Sequence, residues 1–445
     1  MKLYAPWERA FNKISTPFEH FLHAQTTTGL ALMLTTVLAL VLANSPLSDA
    51  YANLFHTKID FKIDNLALSY PIHYWINEGL MTFFFFIIGL EIKREILVGE
   101  LANIKVAVLP ILAAIGGMIF PAIFYLAINS GSESAIGWGV PMATDIAFAI
   151  SVLVLLKKSI PTSLVTFLVA LAIVDDLGAV LVIATFYTEQ IHLLPLLLSL
   201  LSFLILIAFN RFGIHAIAPY AIVGLFMWFF MLESGVHATI SGVVAAMAIP
   251  SKPKKTPESF SKQIRKLLDK YDDQPNSDTC NLNEKQKTIL ADMEENINAI
   301  GTPAARLENG LHLPIALVVI PLFALANAGI SIDFDSIGNT LKQPVPIGIM
   351  LGLVLGKIMG IFGVSWLALK SKISTLPKGA TISQIFGVAL LGGIGFTMSI
   401  FVADLAFLGN SELIFQAKVG ILASSIFSGV SGYLWLKYIA KSAKK

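Results

Sequence analysis

The chain has 445 residues, 56% of them hydrophobic and only 13% charged, with a formal net charge of +2. The apolar residues come in long blocks separated by short polar stretches, too many for a soluble core to hide but suited to direct solvation by a bilayer. This excludes an ordinary soluble fold; no basic patch suited to nucleic acid is visible, and the single cysteine, Cys280, cannot form an internal disulfide.

Taken in chain order, about twelve spans are expected, near 30–47, 72–90, 106–128, 138–156, 164–185, 193–209, 218–232, 236–249, 311–329, 345–369, 382–408 and 413–439. The result is an all-α polytopic membrane protein with one transmembrane domain over 1–445. Segments 138–156, 218–232 and 236–249 are short or carry Gly, Pro or ionisable residues, and are expected to be broken or half-buried helices. A basic start, the apolar run 30–42 and small residues near Ala43 also fit a secretory signal, but the charge pattern keeps its phase only if this segment is retained.

Lys and Arg concentrate in cytoplasmic loops. Here Lys2, Arg9 and Lys13 precede the first span, Lys93, Arg94 and Lys105 follow the second, and Lys157 and Lys158 follow the fourth. Arg211 follows the sixth, a basic loop the eighth, and Lys370, Lys372 and Lys378 the tenth, while Lys437, Lys441, Lys444 and Lys445 end the chain. The opposing loops 130–134, 188–191 and 409–412 carry neither, although Lys58, Lys62 and Lys342 break the pattern. Both termini are therefore expected in the cytoplasm, with an even number of spans.

The polar stretch 251–309 is expected to be a cytoplasmic loop with a helical insert. Phe260, Ile264, Leu267, Leu268 and Tyr271 recur at helical spacing, as do Ile289, Leu290, Met293, Ile297 and Ile300.

The chemistry lies in the apolar blocks. An ionised side chain at the bilayer centre costs roughly 2.5–3.5 kcal/mol on insertion scales, so Asp175 and Asp176 demand a wet cavity, a cation or a counter-charge. Consecutive helical residues point about 100° apart, so the two acids are expected to do different jobs. Asp145 and Thr144 follow Pro141, which removes a backbone donor and frees a carbonyl. Gly392, Gly393 and Gly395 weaken the eleventh span, and two interrupted helices crossing near Asp145 would offer their end charges to a cation. Lys357 is the lone base deep in the tenth span, and Asp175 or Asp145 is its expected partner. Such carboxylates take protons or a hard cation in competition. Asp404 is expected to be a solvated residue at the outer mouth.

A cation channel would use the same acids, but a buried lysine beside them opposes open flow. An intramembrane aspartyl protease would need Tyr-Asp or Gly-x-Gly-Asp in a span, and neither is present.

Several motifs together carry a family resemblance: WINE at 75–78, GLEIKRE at 89–95, ATDIAFA at 143–149, ALAIVDDLGA at 170–179, SGVHAT at 234–239, PLFALANAG at 321–329 and GIGFTMSIF at 393–401. The chain resembles the bacterial NhaA-type Na+/H+ antiporters over nearly its whole length outside the long loop. The resemblance implies inverted repeats with two discontinuous helices crossing at mid-membrane. It implies electrogenic export of one Na+ or Li+ for two H+ across the bacterial inner membrane, activated at alkaline pH, for pH and sodium homeostasis. Asp175 and Asp176 would hold Na+ and protons, Lys357 would pair with Asp175, and Asp145 with Thr144 would sit at the crossing. Cargo would be Na+, Li+ and H+ within membrane lipid, a homodimer is open, and neither enzymatic activity nor a cofactor is implied. A pH-sensing cluster would map to Glu91, Arg94, Glu95, Glu308 and His312, with His237 at a further pH-linked position, although Ala305 and Asn309 depart from the family pattern and Glu78 replaces its usual aspartate.

Overall fold

The structure is a computed structural model, and it describes residues 25–63, 66–156, 160–188, 191–274, 282–330 and 334–442. Lys2, Arg9, Lys13, Lys157, Lys158, Cys280, Lys444 and Lys445 lie outside the described residues. Among those described, seven helices are long and apolar enough to cross a membrane, or nine if each of two bent pairs counts as one span. The protein is a polytopic, almost wholly α-helical membrane protein.

Several elements differ from expectation. The first span ends at Ala43 and turns by 112° into Ser48–His56; Pro46 in the break has no N–H with which to continue a helix. Residues Lys58–Ile63 and Leu66–Pro71 form an antiparallel hairpin, with Lys58 opposite Pro71 and Ile63 opposite Leu66. Its signal is visible as the period-two pattern KIDFKI, and it accounts for Lys58 and Lys62, which disturbed the charge alternation. Segment 218–232 is not broken: Ile217–Glu233 is one helix, with Pro219 in its first turn where the missing donor costs little. Segment 236–249 contributes only the ten residues Thr239–Ala248.

Two interruptions matter for the site. Glu133–Met142 is a 3-10 helix ending in extended backbone at Ala143 and Asp145, after which Ile146–Val154 is α-helical. Ile382–Gly392 and Phe396–Ala406 are separate helices meeting at 44°. The helix Pro344–Lys370 contains two wide π turns, Gly352–Gly356 and Ile358–Gly363, with Lys357 between them.

Helix Ile104–Asn129 packs against Pro344–Lys370 backbone to backbone. A Cβ on Gly116 would overlap the Gly360 carbonyl, and one on Gly360 would overlap that of Gly116. Small residues permit this approach, which is how membrane helices gain dispersion energy without a hydrophobic drive. The same helix meets Thr162–Phe186 differently, because Gly178 faces the thioether of Met118.

The insert folds as two helices, Pro257–Asp272 and Glu284–Ile300. Thr256 caps the first and an Asn283–Gln286 capping box starts the second, satisfying backbone donors that the helices leave open. Backbone N–H groups of Lys254 and Lys255 reach the Ala299 carbonyl at 3.0 and 3.2 Å, closing the hairpin at its base. Ile289 is buried and Phe260, Ile264, Leu267, Tyr271 and Met293 are partly covered, but Leu268, Leu290 and Ile297 face outward.

Candidate ion site

Asp145 occupies the N-cap of Ile146–Val154, where extended backbone leaves its carboxylate free to accept the Phe148 N–H at 3.0 Å. Its other oxygen accepts the Thr397 N–H at 3.0 Å and the Thr397 hydroxyl at 2.6 Å. One carboxylate thus closes the N-termini of both restarting helices, each worth roughly half a positive charge. A further bond runs from the Asp145 N–H to the Ile394 carbonyl at 2.7 Å.

The opposite ends of the breaks are closed by donors. The Thr144 hydroxyl donates to the Gly392 carbonyl at 3.0 Å, at the end of Ile382–Gly392. The Lys357 ammonium donates to the Met142 carbonyl, at the end of the 3-10 segment. Cations at helix C-termini and anions at N-termini are the stabilising arrangement; both breaks have the anion at the restarting N-terminus, and the 3-10 end also has the cation, while the Gly392 end takes a neutral hydroxyl.

Lys357 also donates to Asp175 Oδ2 at 2.8 Å. Both are buried, at 0% and 1% side-chain exposure, so the pair is shielded from water and ions. The sequence leaves the partner open between Asp175 and Asp145, and the geometry selects Asp175. The other Asp175 oxygen and both oxygens of Asp176 are buried with no hydrogen-bond partner. Asp176 feels the charges of Asp175, Asp145, Glu91 and Lys357. Asp145 has helix ends and Asp175 has a lysine; Asp176 has neither. A bare buried carboxylate is costly unless a proton or a cation joins it. The structure holds no group of three or more His, Cys, Asp or Glu side chains, among the described residues, that would cage a metal ion; the bare aspartate oxygens are suited to a hard cation passing through as cargo.

The expected pH-sensing residues separate into two places. Arg94 pairs with Glu308 and, at 3.2 Å, with Glu95, whose other oxygen accepts the Glu100 N–H at 3.0 Å. Glu91 lies within reach of the charges of Glu308, Arg94 and Glu95. Ala305, Asn309 and His312 are exposed. His237 lies elsewhere, its ring meeting Glu78 at 3.3 Å and the Tyr187 carbonyl at 3.0 Å, while Glu78 also accepts the Ala238 N–H at 2.9 Å. Glu78 precedes Arg94 by 16 residues on one helical path, which is roughly 24 Å.

Asp404 corrects the sequence expectation. It is not solvated; it is 7% exposed and ion-paired with Lys418 at 3.2 Å. The helices Phe396–Ala406 and Ser411–Ser442 follow one another through a short turn, which brings the lysine back onto the acid. The sequence alone does not single out Thr397; its hydroxyl lies in the first turn of Phe396–Ala406, straight after the glycine break, and donates to Asp145.

The profile of the family described as Na+/H+ antiporter 1 matches residues 19–436. A protein of Sulfurimonas denitrificans called Na(+)/H(+) antiporter NhaA is 67% identical over 443 residues, spanning 100% of both chains. Na(+)/H(+) antiporter NhaA 1 of Saccharophagus degradans is 48% identical, covering 97% of this chain and 93% of its own. Na(+)/H(+) antiporter NhaA of Dichelobacter nodosus is 44% identical, covering 99% and 95%. Full-length identity at this level, with the two helix breaks joined at buried Asp145 beside the aspartates of Thr162–Phe186, places the chain in a family: it belongs to the Na+/H+ antiporters of the NhaA type.

Proposed function

We propose that this chain exchanges Na+ for H+ across a membrane, with Asp176 as the principal cation ligand. The observation that carries the proposal is the bare Asp176 carboxylate beside the Asp175–Lys357 pair. Deprotonated Asp176 attracts Na+, the bare Asp175 oxygen supplies a second ligand, and a proton at Asp176 competes for the same charge. Alternating which face the site opens to then couples the two flows.

The finer reading is electrogenic exchange of one Na+ or Li+ for two H+. Asp145 is already matched by two helix N-termini, so Asp176 accounts for one proton and the Asp175–Lys357 pair for the second. Either partner of that pair is able to carry it. Activation at alkaline pH is assigned to the Arg94–Glu308 end, with Glu91 and Glu95 beside it. The remaining assignments are about twelve spans in inverted repeats, the 251–309 loop and both termini in the cytoplasm, and residence in the bacterial inner membrane for sodium and pH homeostasis.

The test is pH-dye dequenching in energised everted vesicles on addition of Na+, Li+ or K+, for the wild type and Asp176→Asn. Na+ and Li+ are expected to dequench the wild type and not the variant. Normal exchange by Asp176→Asn would remove the central assignment, and a response to K+ alone would remove the substrate.

A further inference from the structure

Outside the central site, one cluster repeats its chemistry. Lys418 Nζ holds Asp404 Oδ1 at 3.2 Å, while Asp404 Oδ2 is buried with no hydrogen-bond partner. This is the arrangement of Asp175, with one oxygen on a lysine and the other bare. The side chains are 13% and 9% exposed, so the charges are largely removed from water. Nearby, His73 feels the charges of Asp404, Lys418 and His56. Its Nε2 meets Asn327 Oδ1 at 2.7 Å, and the Asn327 amide donates to Asn77 Oδ1 at 2.9 Å.

The cluster is connected to the central site by one face of one helix. Asp404 follows Thr397, the hydroxyl partner of Asp145, by seven residues in Phe396–Ala406. Seven residues make nearly two full turns, so the two side chains share a face about 10 Å apart along the axis. Phe401 lies between them on that face, fully buried against Phe85 at 5.5 Å and Phe323 at 6.1 Å between ring centroids.

We propose that Asp404 and Lys418 form a second ion-handling site, between the central aspartates and the face bearing the 58–71 hairpin, where a hard monovalent cation displaces Lys418 from Asp404. The proposal rests on the exchange function above. The bare oxygen is a ready ligand of the kind that alkali cations prefer. Lys418 keeps Asp404 compensated when no cation is present, because a buried carboxylate that loses its only partner is left uncompensated. Its flexible stem lets the ammonium withdraw, and its residual exposure gives it somewhere to go. Asp145, which joins helices, has both oxygens bonded within the protein, whereas Asp404 keeps one oxygen to spare.

The experiment compares Na+ titrations of proton movement in right-side-out and everted vesicles for the wild type, Asp404→Asn and Lys418→Gln. On the hairpin face, Asp404→Asn is expected to raise half-saturating Na+ about tenfold, or about 1.4 kcal/mol, and Lys418→Gln is expected to lower it. The other face is expected to be unchanged. A mere staple between two helices predicts the same direction for both variants, so same-sign shifts, equal shifts on both faces, or no shift would overturn the site. If Asp404→Asn fails to reach the membrane, Lys418→Gln decides alone: a lower value on the hairpin face supports the site, and an unchanged or higher one overturns it. Absence of Na+-driven proton movement in the wild type would overturn the exchange function and this site together, whereas a normal wild type with symmetric variants overturns this site only.

Discussion

Asp145 and Asp176 are equally buried, at 1% exposure each, yet they are treated in opposite ways. Both oxygens of Asp145 are bonded, to Phe148 and Thr397, and the residue joins two interrupted helices. Both oxygens of Asp176 are bare. Burial alone therefore does not distinguish the two; the unmet hydrogen-bonding capacity does, and it is what supports the proposal of Asp176 as the cation ligand. A carboxylate saturated by the fold has little left for cargo, while one left unsatisfied is a standing demand for a proton or a cation.

The comparison breaks most readily in thermal melting of the purified protein. Asp145→Ala strands the Phe148 and Thr397 N–H groups and the Thr397 hydroxyl, and is expected to lose roughly 2–6 kcal/mol. Asp176→Asn removes an uncompensated charge, and is expected to melt at or above the wild-type temperature while abolishing exchange, the usual opposition of stability and function at a site. Equal losses in both variants would mean that the two aspartates are not distinct. A smaller loss, about 1.5–3 kcal/mol, is expected for Thr397→Val, which deletes the hydroxyl bond to Asp145 but keeps the backbone one. A melting temperature like that of Asp145→Ala would shift the weight from the backbone bond to the hydroxyl.

The least effect is expected in the insert. Glu284 is fully exposed, and Lys287 beside it at 2.9 Å holds its carboxyl below the usual range. A depressed folded value means that any contribution is present at neutral pH and lost as pH falls through that value. Water screens the pair, so Lys287→Ala is expected to leave the melting temperature unchanged at neutral and at acid pH. A resolved drop would show that the exposed hairpin is coupled to the membrane core.

Much of this contrast was legible in the sequence. Acids inside apolar runs are visible as anomalies, and Pro141 and Gly392–Gly395 point to weakened helices. What sequence does not supply is pairing. Whether Asp145 or Asp175 takes Lys357 depends on how three separate segments cross, and spacing along the chain is silent on that. Asp404 read as solvated because it stands near a helix end; only the return of the next helix buries it. Lys418 is the signal that was available, since a lysine seven residues past the start of an apolar helix needs a partner. The meeting of Arg94 with Glu95 and Glu308 agrees with the grouping that the family resemblance implies, whereas the exposure of His312 depends on where the helix Pro303–Pro314 lands.

The glycine crossing of Ile104–Asn129 with Pro344–Lys370 has a mechanical meaning. Where carbonyls and Cα atoms touch at Gly116 and Gly360, neither helix slides without collision, so the two move as a single strut with Lys357 fixed to it. On its other side that strut meets the aspartate helix through Met118, an unbranched side chain that repacks cheaply against Gly178. The rigid contact and the adaptable one thus lie on different faces of one helix, and the Lys357–Asp175 pair bridges the strut and the aspartate helix. Lys357 rides on the strut and Asp175 on the neighbouring helix, so a displacement that parts those two bodies lengthens the 2.8 Å ion pair and uncovers the carboxylate that the ammonium now holds.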